Sequence, residues 1–427
     1  MNHGEPDVTV DNKELSGSLA PHADVADAAP VKPRATPRRL PRRLSRILSL
    51  EDLEAACRRH LPRPIFGFIS GGVETNATLR ANRAAFQDWT FLPRMLIDTA
   101  ARSQATTLMG KTYAMPFGIA PMGLSAMAAY RGDMVLAETA AAAGIPMIMS
   151  GASLISVEEI ARAAPGTWFQ AYVPGEPRRI SALVERVARA GLETLVLTVD
   201  VPVSANRENN VRNGFSTPLR PTLRLAWDGL VRPAWLLGTL GRTLLTQGMP
   251  HFENMTAQRG APVFSNQVDR DFGPRDSLAW EHLTLMRRLW KGRLVVKGIL
   301  GPDDARMARE HGADGIIVSN HGGRQLDGAI ASLRALPAIA AVAGDMAVML
   351  DSGVRRGTDV LKALALGAQF VFLGRPFLYA AAIGGEAGVN HAIELLRQEI
   401  DRDMAQLGIT GLAQMKPELL VGAVSRG

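Results

Sequence analysis

From residue 115 onward the chain alternates two kinds of apolar run. Short continuous runs fall at 117–122, 145–150, 167–173, 194–200, 293–298, 315–320, 347–352 and 370–374. Runs without polar alternation suit strands buried on both faces of a parallel sheet. Between them, apolar residues recur at helical spacing over 133–144, 156–164, 177–190, 279–290, 301–311, 332–343 and 357–366. Eight strand-plus-helix units in a row predict an α/β fold, a (β/α)8 barrel. A doubly wound sheet is the alternative, but it more often has fewer strands and an early glycine fingerprint, which this chain lacks.

Two stretches break the alternation. Ser49-Leu50-Glu51-Asp52-Leu53 reads as an N-cap with an acidic first turn, so an N-terminal helical extension is expected ahead of the barrel. Residues 1–48 before it are expected to be a disordered basic leader. Residues 1–30 are Asp/Ala/Pro-rich, and 31–50 carry Lys32, Arg34, Arg38, Arg39, Arg42, Arg43 and Arg46 without an acid. The second break, 201–278, lies inside the 49–427 barrel domain and far exceeds the roughly two to six residues of ordinary barrel loops. Its middle, Leu223 to Leu245, mixes Trp227, Trp235 and several leucines with Arg224, Arg232 and Arg242. That composition suits either a membrane interface or a lid and oligomer contact on the barrel top.

Composition narrows the class further. With 427 residues, 47% of them hydrophobic, the chain can bury a large core. A single cysteine, Cys57, excludes a disulfide framework and argues against a cysteine-based metal centre, so no metal site is expected. The net charge of +7 leaves nucleic acid, an anionic membrane or an acidic partner open for the leader, with solvation the blander reading. No run of 18 or more apolar residues predicts a spanning helix, and no secretory signal core is evident.

Barrel chemistry sits at the C-terminal ends of strands. Those ends carry, in order, Ala120-Pro121-Met122-Gly123; Ser150; Gln170 and Tyr172; Thr198 and Asp200 with Arg207 beyond; Lys297; Ser319, His321 and Arg324; Asp351 and Gly353 to Arg355; and Gly374-Arg375. A base and a fixed cation three residues apart, His321 and Arg324, suit proton or hydride removal from an anionic substrate. Asp200 is placed to fix the imidazole tautomer. The last two loops, with Gly353, Arg355, Gly374 and Arg375, fit a phosphate site. Lys297, Gln170, Thr198 and Ser150 around the axis suit a heteroaromatic ring that turns anionic, as a flavin does on reduction. A Schiff-base role for Lys297 and a structural role for Asp200 are the competing readings.

Taken together, SNHGGRQLDG (319–328), LTVDVP (197–202), VKGIL (296–300), DSGVRRGTDVLKALALGA (351–368) and LGRPF (373–377) resemble the FMN-dependent α-hydroxy-acid oxidases and dehydrogenases. The resemblance runs from about residue 50 to 425 and is strongest to bacterial L-lactate and (S)-mandelate dehydrogenases. It implies FMN as cofactor and oxidation of an L-2-hydroxy acid, lactate- or mandelate-like, to the 2-oxo acid. His321 is then the base oriented by Asp200; Arg324, Tyr172 and Arg207 bind substrate; and Lys297 stabilises the reduced flavin. Ser150, Gln170, Thr198, Ser319 and the backbone of Ala120, Pro121 and Met122 hold the ring. Asp351 takes the ribityl chain, and Gly353, Arg355, Gly374 and Arg375 the phosphate. The partners implied are a quinone or other acceptor, a homo-oligomer (a tetramer or larger) and peripheral membrane contact, with no nucleic acid. The expected location is cytoplasmic or on the inner face of the cell membrane.

Two departures from the family pattern stand out. Phe68 occupies the position of a usual tyrosine that bonds the substrate carboxylate, which removes one hydrogen bond. Gly123 stands where oxidases tend to place alanine, which looks more like the dehydrogenases. The alternatives are an oxidase that reduces O2 to H2O2, or an FMN barrel acting on a non-standard substrate.

Overall fold

The computed structural model describes residues 40–216, 222–265 and 275–422. The leader expected over 1–48 lies outside them up to residue 39. Its remainder corrects the expected boundary: Leu44 and Ile47 are buried, so packed chain begins ahead of Ser49. Leu44 seats against Gly384, where the absence of a side chain leaves room for it.

The predicted barrel is present. Its strands are β1 (Phe117–Ile119), β2 (Ile148–Ser150), β3 (Trp168–Ala171), β4 (Thr194–Thr198), β5 (Arg293–Ile299), β6 (Gly315–Val318), β7 (Ala347–Leu350) and β8 (Phe370–Leu373). All pair in parallel in sequence order, β8 returns to β1, and an Ile119–Met147 bridge joins β1 to the chain entering β2. Nearly every strand residue is buried, which is why the sequence shows unbroken apolar runs there. Around the barrel run α1 (Gly132–Ala142), α2 (Val157–Ala163), α3 (Pro177–Arg189), α4 (Trp280–Leu289), α5 (Pro302–Glu310), α6 (Ser332–Ala340), α7 (Gly357–Ala365) and α8 (Arg375–Leu407). The long α8 is two helices merged across Gly385, whose φ is +55°.

The barrel interior is filled with side chains. Val196, Val295, Ile317 and Met349 meet Tyr113, Trp168, Phe370 and Phe372, with Tyr113–Phe370 and Trp168–Phe372 ring centroids 5.6 and 5.4 Å apart. Leu108 and Tyr113 come from an antiparallel hairpin, Thr106–Leu108 with Lys111–Tyr113, that plugs the N-terminal end. The C-terminal end is left for chemistry.

Helices Asp52–His60, Arg63–Ser70 and Ala77–Ala84 form the N-terminal extension and approach that open end. Asn82 joins it through reciprocal 2.8 Å amide hydrogen bonds with Asn320, both side chains being buried. Asp327 accepts from the backbone of Thr75 and Thr78 and so fixes the start of helix Ala77–Ala84. The segment after β4 folds into helices Leu223–Leu230 and Arg242–Thr246 joined by short turns, including a π-helical one at Leu236–Gly241. It is anchored by Trp235, whose indole N–H donates to Met127 O at 2.8 Å, and by Arg242, stacked 3.9 Å over the Tyr130 ring. Leu223, Trp227, Leu230, Leu237 and Leu245 point outward and are exposed. No helix among the described residues is long and apolar enough to cross a membrane.

Candidate active site

The turn after β6 brings three consecutive left-handed residues, His321 (φ +59°), Gly322 (+67°) and Gly323 (+72°). Glycine is required at the last two. A Cβ on Gly322 would lie 2.8 Å from Arg375 Nη1, and one on Gly323 would lie 2.6 Å from Leu79 N. Histidine in this conformation costs roughly 1–2 kcal/mol, and the neighbouring contacts supply the compensation. His321 N donates to Ser319 Oγ at 3.0 Å, and Gly322 N to Ser352 Oγ at 3.0 Å.

The imidazole is oriented by a carboxylate. His321 Nδ1 lies 2.9 Å from Asp200 Oδ1, and Nε2 lies 3.5 Å from the Tyr172 hydroxyl. An ionised carboxylate only accepts, so Nδ1 carries the hydrogen and Nε2 presents its lone pair to the barrel mouth. Burial pushes His321 below its ordinary pKa, outweighing the upward pull of Asp200, so the ring is a neutral base at neutral pH. Burial also works to raise Asp200, yet His321 and Lys297 together hold its carboxyl below the usual range. Burial pushes the Tyr172 phenol up, which keeps it protonated.

Lys297 is 3% exposed and donates to Ser319 Oγ at 2.8 Å, with Asp351 Oδ2 3.1 Å away. Burial favours losing its proton, but Asp351, Asp200 and Tyr172 outweigh that and raise its pKa. Lys297 is therefore an ammonium, which argues against the Schiff-base reading, since that chemistry needs a depressed lysine. Beside it, Ser150 Oγ donates to Gln170 Oε1 at 3.1 Å. Gln170 Nε2 and Thr198 Oγ1 are buried with no hydrogen-bond partner in the structure. Unsatisfied donors converging on an ammonium fit a planar, acceptor-rich ring.

The loops after β7 and β8 also meet. Asp351 accepts from Ser352 Oγ at 2.9 Å, and Gly353 sits at φ +91° against the Asn82 carbonyl. Arg355 is half-buried, and loss of hydration, helped by Arg375, lowers its pKa to about 10. Arg375 is engaged differently from a simple phosphate ligand. Its guanidinium donates to the carbonyls of Ile69, Gly71 and Gly322 at 2.9–3.1 Å. Arg324 likewise gives Nη1 to Phe68 O and Gly71 O, at 2.7 and 2.8 Å. Both arginines thus clamp the end of helix Arg63–Ser70 over the mouth. Phe68 stacks on Phe215 (centroids 4.4 Å apart), with the Arg324 guanidinium 5.0 Å from its ring. Arg207 donates to Arg324 O at 3.2 Å and to Gln325 Oε1. Ala120, Pro121 and Met122 form the turn leaving β1, and Gly374 faces Met122. A methyl on Gly123 would lie 3.0 Å from the Ala152 Cβ.

Sequence reasoning thus placed the strand-end side chains in one mouth, but it missed Asn82, Asn320, Ser352 and Gln325, which hold the loops. Asn320 and Gln325 lie within the SNHGGRQLDG run, so that run held a signal for them; Asn82 lies on a helix with nothing to mark it.

Comparisons with known proteins agree on one family. The model of the FMN-dependent dehydrogenases matches residues 57–422. The L-lactate dehydrogenase of Ectopseudomonas mendocina (strain ymp) is 41% identical over 379 residues, 87% of this chain and 97% of that protein. The (S)-mandelate dehydrogenase of Pseudomonas putida is 38% identical over 382 residues, 88% and 94% respectively. A crystal structure described as the monotopic membrane protein (S)-mandelate dehydrogenase superposes with a TM-score of 0.83 at 38% identity, over 88% of this chain and all of that one.

In a histidine-resolved NMR titration, His321 is expected to titrate below 6.5. Asp200→Asn should move it lower and Lys297→Met higher, because the first removes an upward influence and the second a downward one. A His321 that titrates at or above 6.5, or that ignores both substitutions, contradicts the assignment.

Proposed function

The chain belongs to the family of FMN-dependent dehydrogenases, and from that premise we propose how its own residues carry the reaction. The enzyme oxidises an L-2-hydroxy acid to the 2-oxo acid. Bound FMN supplies the two-electron acceptor. The observation that carries the assignment of roles is the imidazole of His321, with Nδ1 spent on Asp200 and Nε2 left as the base beside Tyr172.

His321 Nε2 takes the proton released as the substrate's C2 is oxidised, and Asp200 stabilises the imidazolium that results. Arg324, fixed by the Phe68 and Gly71 carbonyls, holds the substrate carboxylate, with Arg207 adding positive charge at the rim. Tyr172, kept protonated, donates to the substrate oxygen. Lys297, an ammonium, would stabilise the negative charge that the flavin ring gains on reduction, and Ser150, Gln170, Thr198, Ser319 and the Ala120–Met122 backbone would hold that ring by hydrogen bonds. Asp351 would receive the ribityl chain. Gly353 and Gly374 with Arg355 and Arg375 would hold the phosphate, and Arg375 would combine that role with holding Ile69 and Gly71.

Electrons leave to a membrane quinone. Support comes from the exposed Leu223, Trp227, Leu230, Leu237 and Leu245 beside Arg224 and Arg232, an arrangement suited to lying in a bilayer interface. The likeness to a monotopic membrane protein supports the same reading. The protein then sits on the inner face of the cell membrane as a homo-oligomer, for which the exposed Leu92, Met95 and Leu96 offer an apolar contact.

Anaerobic mixing of the yellow protein with L-2-hydroxy acids should bleach the flavin, with D-enantiomers inert. His321→Gln should keep FMN bound while slowing bleaching by about 10²–10⁴-fold. Unchanged bleaching in that variant removes His321 from the mechanism. In flotation with phospholipid vesicles, the protein should rise with the lipid, and Leu223→Asp with Trp227→Asp should leave it behind; equal flotation refutes the docking face.

A further inference from the structure

Arg275 stands at the same mouth, and the roles above do not use it. It is 8% exposed, its backbone N donates to Pro202 O at 2.7 Å, and its guanidinium carbon lies 5.1 Å over the ring of Tyr172. Among the described residues no hydrogen bond or ion pair engages that guanidinium, although it carries five donors. A mostly buried guanidinium with its donors uncommitted among the described residues gains from an anionic partner that reaches it. Arg179 adds positive charge near Arg275, and Arg207 acts on the same Tyr172.

The rest of the Tyr172 surroundings differ in character. The ring packs into a cluster of Ala152, Leu154, Phe252, Met255 and Val263. A substrate side chain running along Tyr172 would meet both apolar surface and a mostly buried cation. Phe68, meanwhile, lacks the hydroxyl that would add a second hold on the C1 carboxylate.

We propose that Arg275 binds an anionic group at the far end of the substrate side chain, so that this enzyme prefers L-2-hydroxy dicarboxylates over monocarboxylates. The inference rests on the reading of Arg324 as the C1 carboxylate clamp and His321 as the base. Arg275 is then a specificity residue: it anchors the distal carboxylate through charge-assisted hydrogen bonds and so offsets the hydrogen bond that Phe68 does not make at the C1 end. A site built around such a donor discriminates strongly against substrates that leave it unpaired.

The test uses the FMN-loaded full chain and reads second-order rate constants for anaerobic flavin bleaching. L-malate is paired with L-2-hydroxybutyrate, and L-2-hydroxyglutarate with L-2-hydroxyvalerate, so that chain length is matched. At least one dicarboxylate should exceed its partner by about tenfold or more. Arg275→Gln should collapse that ratio towards one, and Arg275→Lys should retain part of it. Monocarboxylates ahead in both pairs of the wild-type protein overturn the proposal, even if the variant fails to fold. A ratio unchanged in a folded, yellow Arg275→Gln protein overturns it as well. Bleaching by neither series, with L-lactate or (S)-mandelate still bleaching, overturns the dicarboxylate preference alone, whereas bleaching by no L-2-hydroxy acid at all sinks the hydroxy-acid reading itself.

Discussion

An ammonium buried at the mouth of a barrel is the constraint around which the rest is arranged. Lys297 is almost fully out of water, and a lone charge there would be expelled or neutralised. Asp351 and Asp200 prevent that, and each does a second task. Asp351 accepts from Ser352, whose hydroxyl oxygen receives Gly322 N–H, so the loop after β7 supports the catalytic turn after β6. Asp200 orients His321, so the loop after β4 sets the tautomer. Ser319 accepts from Lys297 and from His321 N, which closes the network.

That network explains why a strained turn is stable. Left-handed backbone at His321 and Ser352 would be unfavourable in isolation. Here each is fixed by hydrogen bonds from a neighbouring strand end, and the N-terminal helices add Asn82 and the carbonyls of residues 68–71. The arginines at 324 and 375 are consequently pre-positioned. Little side-chain freedom remains for a ligand to remove, which favours binding and catalysis.

Much of this was legible in the chain itself. Strands buried on both faces leave unbroken apolar runs, and polar residues at their ends mark the mouth, so His321, Asp200, Lys297, Gln170 and Arg324 were all visible. Other features carry no such mark. The backbone carbonyls of Phe68, Ile69 and Gly71 that receive the arginines have no signature in side-chain type. Asn82 looks like any polar helix residue. Arg275 lies at the end of the long segment after β4, where no period indicates which residues turn inward. The three-residue strand pair Trp89–Phe91 and Leu420–Gly422 is too short and too distant in sequence to register. Charge dominates residues 38–46 and hides the two buried positions, Leu44 and Ile47, which is why the expected leader boundary falls too late in the chain.

The central claim is that a neutral His321, held between Asp200 and Lys297, takes the proton as hydrogen leaves C2 of the substrate. Rapid anaerobic mixing of the oxidised enzyme with a substrate carrying hydrogen or deuterium at C2, repeated across pH, tests it most directly. The account predicts slower flavin bleaching with deuterium. It also predicts that the bleaching rate constant at low substrate concentration rises through one ionisation below 6.5 and then holds level through neutral and mildly alkaline pH, because Lys297 and Tyr172 keep their protons there. No isotope effect together with a rate indifferent to pH, or a rising limb centred above 6.5, would contradict it.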